Sequence, residues 1–251
     1  MTTQTIQQDA TAVAIVTGAS GELGRAIALR LARDGFAVVA HFSRGEAAAQ
    51  TLVAEIVAGG GRALAVGGDI ADPATSSRLF DAAEQEFGGA DVLVSNAGAS
   101  ILGRLADMTD ADYDTVMDAS ARGTFAGLRE AATRLRDGGR IVTLSTTSLA
   151  VGTPGMGLYM AAKSAVETLT RAAAKELAPR RITVNAVAPG AIASRMFFEG
   201  KSPEQIARIA DGHPAGRLGE PDDIASAVAL LVGQDAGWIS GQVIRVNGGV
   251  A

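Results

Sequence analysis

Short, unbroken apolar runs alternate along this chain with longer stretches in which apolar positions recur every three or four residues. The runs Ala12–Thr17, Ala37–Phe42, Ala63–Val66, Val92–Ser95, Ile141–Ser145, Thr183–Val187 and Val243–Val246 predict strands. Arg25–Arg33, Glu46–Val57, Ala74–Phe87, Asp110–Leu135, Tyr159–Leu177 and Pro221–Val232 predict helices. A parallel crossover needs a connecting helix, so this alternation predicts a doubly wound α/β fold: a parallel sheet with helices on both faces, three layers in all. Such sheets bind ligands beyond the carboxyl ends of their strands, and the loops that follow strands are where chemistry is expected. One domain is expected over residues 12–251, after a flexible polar tail of residues 1–11. Within it, Ala191–Pro214 is the long segment without a clear strand or full helix, and its length suggests a lid.

Two short motifs fall in the expected places. Thr17-Gly18-Ala19-Ser20-Gly21-Glu22-Leu23-Gly24 follows the first strand and opens a helix, the context a dinucleotide site requires. Gly18 allows a tight turn, Gly21 a close backbone approach to a pyrophosphate, and Gly24 close packing of helix on strand. The helix N-terminus offers unpaired N–H groups to the anion. Further on, Tyr159 and Lys163 differ by four residues, so on a helix they project from one face about one turn apart. A free tyrosine, with pKa about 10, is a poor base near neutrality, and a nearby positive charge lowers that value.

Composition narrows the partners. The 251 residues are 47% hydrophobic and 20% charged, as in a globular protein. A formal charge of −5 without a basic block argues against nucleic acid and for a small-molecule substrate. No apolar run approaches the roughly 20 residues that span a bilayer, and the polar start lacks a basic cluster, so no membrane anchor or secretion signal is expected. The absence of cysteine excludes disulfides and thiolate chemistry and is compatible with the cytoplasm. Two histidines, His41 and His213, cannot build a His-rich metal site, and neither is assigned a catalytic role.

The glycine-rich turn, Asp69-Ile70, Asn96-Ala97-Gly98, Tyr159-Met160-Ala161-Ala162-Lys163, Asn185, Pro189-Gly190, the run from Gly216 to Pro221, and Asn247-Gly248-Gly249 together resemble the classical short-chain dehydrogenase/reductase family, in particular its 3-oxoacyl-[acyl-carrier-protein] reductases. The resemblance covers nearly the whole chain after residue 11. It implies a Rossmann-type sheet of seven strands, a homotetramer, and reversible reduction of a carbonyl, in which Tyr159 exchanges the proton and Lys163 also holds the nicotinamide ribose. It places Gly18, Ser20, Gly21, Glu22 and Leu23 at the pyrophosphate, Asp69 and Ile70 at the adenine, and Asn96, Ala97 and Gly98 at the ribose side. Pro189, Gly190, Ile192 and Ser194 fall at the nicotinamide carboxamide. Three positions depart from the family pattern. Thr146 stands thirteen residues before the tyrosine, where the family has serine, and its hydroxyl can still donate to a carbonyl oxygen. Ser120 stands for an asparagine that anchors a water in the proton relay. Glu22 stands where classical members carry glycine, and a carboxylate near phosphates is unfavourable unless it points away.

The second strand ends His41-Phe42-Ser43-Arg44, with no carboxylate before Glu46. An acidic residue there would bind the adenine ribose 2′-hydroxyl. Arg44 instead offers a fork of donors, with Ser43 beside it, which favours NADP(H) over NAD(H). Met196-Phe197-Phe198, with Met156, reads as an apolar substrate wall. Asp222-Asp223, following Pro221, reads as helix capping rather than as a catalytic carboxylate pair. The leading expectation is an NADP(H)-dependent reductase of a 3-oxoacyl or secondary-metabolite ketone. The rivals are an NAD-dependent alcohol dehydrogenase and a cofactor-binding regulatory or scaffold protein.

Overall fold

The computed structural model describes residues 11–251; the expected flexible tail lies almost wholly outside the described residues. In chain order the elements are β1 (Val13–Val16), α1 (Glu22–Arg33), β2 (Ala37–Phe42), α2 (Glu46–Ala58), β3 (Ala63–Gly67), α3 (Pro73–Phe87) and β4 (Ala90–Ser95). Then come α4 (Asp110–Met117), a π-helical turn (Asp118–Arg122), α5 (Gly123–Arg134), β5 (Leu135–Leu144), α6 (Ser148–Val151) and α7 (Gly157–Glu176). The last third holds β6 (Thr183–Pro189), α8 (Arg195–Phe198), α9 (Pro203–Asp211), α10 (Pro221–Val232) and β7 (Val243–Val246).

The strands form one parallel seven-stranded sheet in the order β3-β2-β1-β4-β5-β6-β7. Alternate residues of each strand feed opposite cores, as the two-residue period of a strand requires. In β1, Ala14 and Val16 pack with Ile27 and Leu31 of α1 and Ile224 and Val228 of α10, while Val13 and Ile15 pack with Leu79 and Phe80 of α3 and Leu128 of α5. Burial on both faces explains why the strands read as unbroken apolar runs. The strand order reverses between β1 and β4, and the crevice this opens beyond their carboxyl ends is where the glycine turn and Asn96 meet.

Helix starts carry their own signals. Asp72 caps α3 by accepting from the Ala74 N–H, with Pro73 in the first turn, and Thr109 and Asp112 form a reciprocal capping box at α4. Asp223 accepts from the Glu220 N–H at α10, so the Asp222-Asp223 pair does lie at a helix start.

Two expectations need correction. The helix expected over Asp110–Leu135 is interrupted by the π turn and stops at Arg134. Leu135 has the spacing of a helical core residue but adopts extended backbone and pairs with Ala90, opening β5 with a register shift between Ala90 and Val92. The segment 191–214 is also not bare of helix: α9 spans nine residues, started by a Ser202–Gln205 capping box with Pro203 behind it. None of its residues is fully buried, so its amphipathic pattern was too short and too polar to stand out.

Candidate active site

Four segments converge beyond the carboxyl ends of β1, β4, β5 and β6. The first is the glycine turn. Gly18 has φ +68°, a left-handed conformation suited to glycine, and a Cβ on Gly24 would run into the Gly18 carbonyl oxygen. Thr17 Oγ1 accepts the N–H groups of Asn96 and Ala97, both at 2.9 Å, and Asn96 Nδ2 donates to the Thr17 carbonyl at 2.9 Å. The turn is thus bolted to the end of β4. Gly21 caps α1 without a side-chain acceptor, which leaves the first N–H groups of that helix open to an anion. This is a cradle that fits a pyrophosphate.

Glu22 does point away from that cradle. Its Oε2 accepts the backbone N–H of Arg195 at 2.7 Å, so the carboxylate faces the start of α8. Ser194 caps α8, accepting from the Phe197 N–H at 3.3 Å. Pro189 ends β6; Gly190 donates to the Val246 carbonyl, and Ile192 and Ala193 are tied to Gly219.

The second and third segments bring the hydroxyls and the amine together. Tyr159 lies in the first turn of α7, and the Thr146 side chain, beyond β5, approaches its phenol; Thr146 Oγ1 also accepts the Ser148 N–H at 3.2 Å. The neighbouring hydroxyls are engaged elsewhere: Ser145 donates to Glu167 at 2.7 Å, Thr147 to the Ala188 carbonyl at 3.1 Å, and Ser148 contacts Met156 Sδ at 3.5 Å. Thr146 is the hydroxyl of that run that acts on the tyrosine. Lys163, 5% exposed, donates from Nζ to the Leu144 carbonyl at 2.6 Å, and Nζ lies 5.8 Å from the Tyr159 ring centroid.

Burial dominates the electrostatics. Desolvation pushes the Tyr159 phenol above its ordinary value, and the Thr146 hydrogen bond offsets only part of that. Desolvation also lowers Lys163 to about 8. Burial, and not the lysine that the spacing brings near, sets the direction, and Tyr159 is held as the protonated acid near neutrality.

The fourth segment is the π turn. It aims buried Ser120 inward, where Oγ accepts from the Ala99 N–H at 3.3 Å. A Cβ built on Gly98 would lie 3.0 Å from Ser120 Oγ and 3.5 Å from Lys163 Nζ, so both side chains close on Gly98. Single π turns inside α-helices are frequent at functional sites.

This arrangement has close relatives. The family described as enoyl-(acyl carrier protein) reductase matches residues 18–251. A short-chain type dehydrogenase/reductase of Picea abies is 42% identical over 248 residues, covering 94% of this chain and 91% of that protein. The chain belongs to the short-chain dehydrogenase/reductase family. Versicolorin reductase stcU of Emericella nidulans is 39% identical to this oxidoreductase, covering 94% of each. The solved structure of angucycline C-6 ketoreductase LanV with bound NADP superposes with a TM-score of 0.89 at 33% identity, covering 95% of both chains.

The remaining expected positions of this short-chain dehydrogenase/reductase surround the same crevice. Asp69 is exposed beyond β3 and accepts from the Ala71 N–H at 3.0 Å, whereas Ile70 is buried against Gly123. Ser43 and Arg44 are exposed beyond β2, and the Ser20 side chain lies against Gly45 at the start of α2. Leu23 differs: it packs on the core beneath α1. Two contacts escaped the sequence reading. The Leu144 carbonyl that receives Lys163 is backbone and carries no side-chain signature. His41, a polar residue at the end of an apolar strand, is read from sequence as packing or hydrogen-bonding there, and it does both; what the sequence hides is its partner, the Gly18 amide.

Proposed function

We propose that this oxidoreductase is an NADP(H)-dependent reductase that converts a ketone to a secondary alcohol, with Tyr159 as proton donor. The observation that carries this reading is the convergence of Tyr159, Thr146 and buried Lys163, whose Nζ lies 5.8 Å from the Tyr159 ring centroid, in a crevice that adjoins a phosphate-fitting turn. The nicotinamide, when bound, supplies the hydride to the carbonyl carbon. The Thr146 hydroxyl polarises the carbonyl oxygen, and the Tyr159 hydroxyl gives that oxygen its proton. Burial keeps the phenol protonated, which suits the reductive direction. Lys163 places a cation beneath the ring and favours the negative charge that appears as the proton leaves. Ser120, whose Oγ accepts the Ala99 N–H, would anchor the water that relays the next proton. Named reductases among the relatives, versicolorin reductase and the ketoreductase LanV, support a keto substrate.

The 2′-phosphate of NADP(H) would meet Arg44, Ser43 and Ser20 near the start of α2, whose cap Gly45 provides no side-chain acceptor. Met196 and Phe198, 60% and 41% exposed, with Phe197 edge-on to Phe198 at 5.6 Å, offer an apolar wall for the rest of the substrate. The same reading includes a homotetramer. One apolar hollow of about 760 Å³ lies on α5 and α7, lined by Phe125, Ala126, Ala165 and Leu169 among others. A second apolar area, Leu230, Trp238 and Ile239, lies beside the edge strand β7. Two separate apolar faces suit dihedral symmetry.

The deciding experiment follows oxidation of NADPH and NADH by absorbance with a panel of ketones, 3-oxoacyl thioesters and an enoyl thioester, using Tyr159→Phe as control. Turnover of a ketone with NADPH that falls at least about a thousandfold in the variant supports the reading. Preference for NADH points to the alcohol dehydrogenase, preference for the enoyl thioester to carbon–carbon reduction, and cofactor binding without turnover to the scaffold protein.

A further inference from the structure

His41 lies at the end of β2, 1% exposed, on the side of the sheet covered by α3. Its ring is held at both nitrogens. Nδ1 accepts the N–H of Gly18 at 3.0 Å, and Nε2 lies 3.0 Å from the Gly68 carbonyl oxygen. A nitrogen that accepts a backbone N–H carries no proton, so Nε2 bears the hydrogen and donates it to Gly68; the two contacts together fix a neutral imidazole in one tautomer. The His41 carbonyl also accepts from the Ala19 N–H at 2.8 Å.

These bonds give the glycine turn a second clamp. Asn96 grips the Thr17 carbonyl from β4, while His41 grips the next N–H, that of Gly18, from β2. Between them the Thr17–Gly18 peptide plane is held on both sides, and the path of Gly18 to Gly21 at the phosphate cradle follows from that plane. Protonation of His41 would turn Nδ1 into a donor facing the Gly18 donor, leaving a buried N–H without a partner.

We propose that His41 is a positioning residue for the cofactor's phosphates: its neutral ring holds the Gly18 amide in the binding conformation, and protonation at acid pH releases the turn and weakens cofactor binding. This rests on the reading of the turn as the phosphate site. Burial holds the imidazole below its ordinary value of 6.5. The charged groups that act on the ring are Asp69 beyond β3, which favours the proton, and Arg78 on α3, which opposes it; β1, on the other side, brings no charged side chain. The switch therefore falls below pH 6.5 and leaves the turn set at neutrality.

The test is calorimetric titration of the full chain with NADP+ from pH 5 to pH 8, for the native protein, His41→Asn and His41→Leu. Asparagine can still accept from Gly18 but does not titrate; leucine can do neither. At pH 8, His41→Asn should bind within about threefold of native, and His41→Leu about tenfold more weakly with its melting temperature recorded alongside. As the pH falls, all three proteins feel the cofactor's own 2′-phosphate, which titrates near pH 6. The native protein alone should lose affinity beyond that shared slope. Ring 15N resonances, with His213→Gln to separate the two histidines, should show His41 as the Nε2–H tautomer at pH 7. Identical pH profiles for the native protein and His41→Asn would overturn the proposal, as would a protonated ring at pH 7. A native protein that binds neither NADP+ nor NAD+ at pH 8 would overturn the functional reading itself, an outcome the variants cannot mimic.

Discussion

Glu22 and Arg195 are joined by a carboxylate-to-amide hydrogen bond of 2.7 Å that spans 173 residues of sequence. It ties the first turn of α1 to the first residue of α8, and so links the glycine turn to the segment carrying Met196 and Phe198. Replacing the carboxylate with the family's glycine, Glu22→Gly, should free that segment. Hydrogen exchange at the Arg195 amide is expected to quicken about tenfold, with KM raised more than kcat is lowered. Unchanged exchange would show that the contact carries no free energy.

Thr146 offers a second test. Its hydroxyl is the one that acts on Tyr159, and its methyl is an addition to what the chemistry needs. Thr146→Ala is expected to lower kcat by about a hundredfold, as removal of one donor to a developing oxyanion does, while Thr146→Ser stays within about threefold of native. If Thr146→Ala keeps native activity, another group polarises the carbonyl.

Lys163 is held at about 8, below the value it takes in an unfolded chain. The cost of burying its charge is therefore fully present below pH 8 and is relieved as the pH rises from there toward about 10, where the unfolded chain still binds a proton that the native one has released. Chemical denaturation of native protein and Lys163→Met across this range should show the native protein gaining up to about 3 kcal/mol on the variant. Reductive activity runs the other way: it is expected to fall as the pH passes 8, because the cation beneath Tyr159 is lost. A stability difference that does not change with pH would place the lysine's pKa near its ordinary value.

Arg44 stands exposed and joins none of the ion pairs among the described residues. Arg44→Glu should weaken NADPH binding by about a hundredfold through lost donors and added repulsion, and change NADH binding by less than about threefold. Equal losses for the two cofactors would remove the arginine from the 2′-phosphate.

The sheet was legible because buried parallel strands are written as apolar runs, and every strand expected from Ala37–Phe42 to Val243–Val246 is present. The glycine turn was legible because left-handed backbone and close helix packing demand particular residues at Gly18 and Gly24. What stayed hidden was local and backbone-borne. The π turn that aims Ser120 leaves the spacing of apolar residues almost undisturbed, and Leu135 fits a helix and a strand equally well. The effect of burial on Tyr159 was also out of reach, because four-residue spacing shows that the lysine is near but not how much water is excluded. Glu22, read as a misfit beside phosphates, acquires a partner only when the chain is folded.

Trp238 is 97% exposed beside the edge strand and is the sole tryptophan of the chain. Indole emission therefore comes from a single place, on a face proposed to meet another copy. Fluorescence that shifts to the red on dilution would follow subunit separation alone, undisturbed by the core or the catalytic crevice.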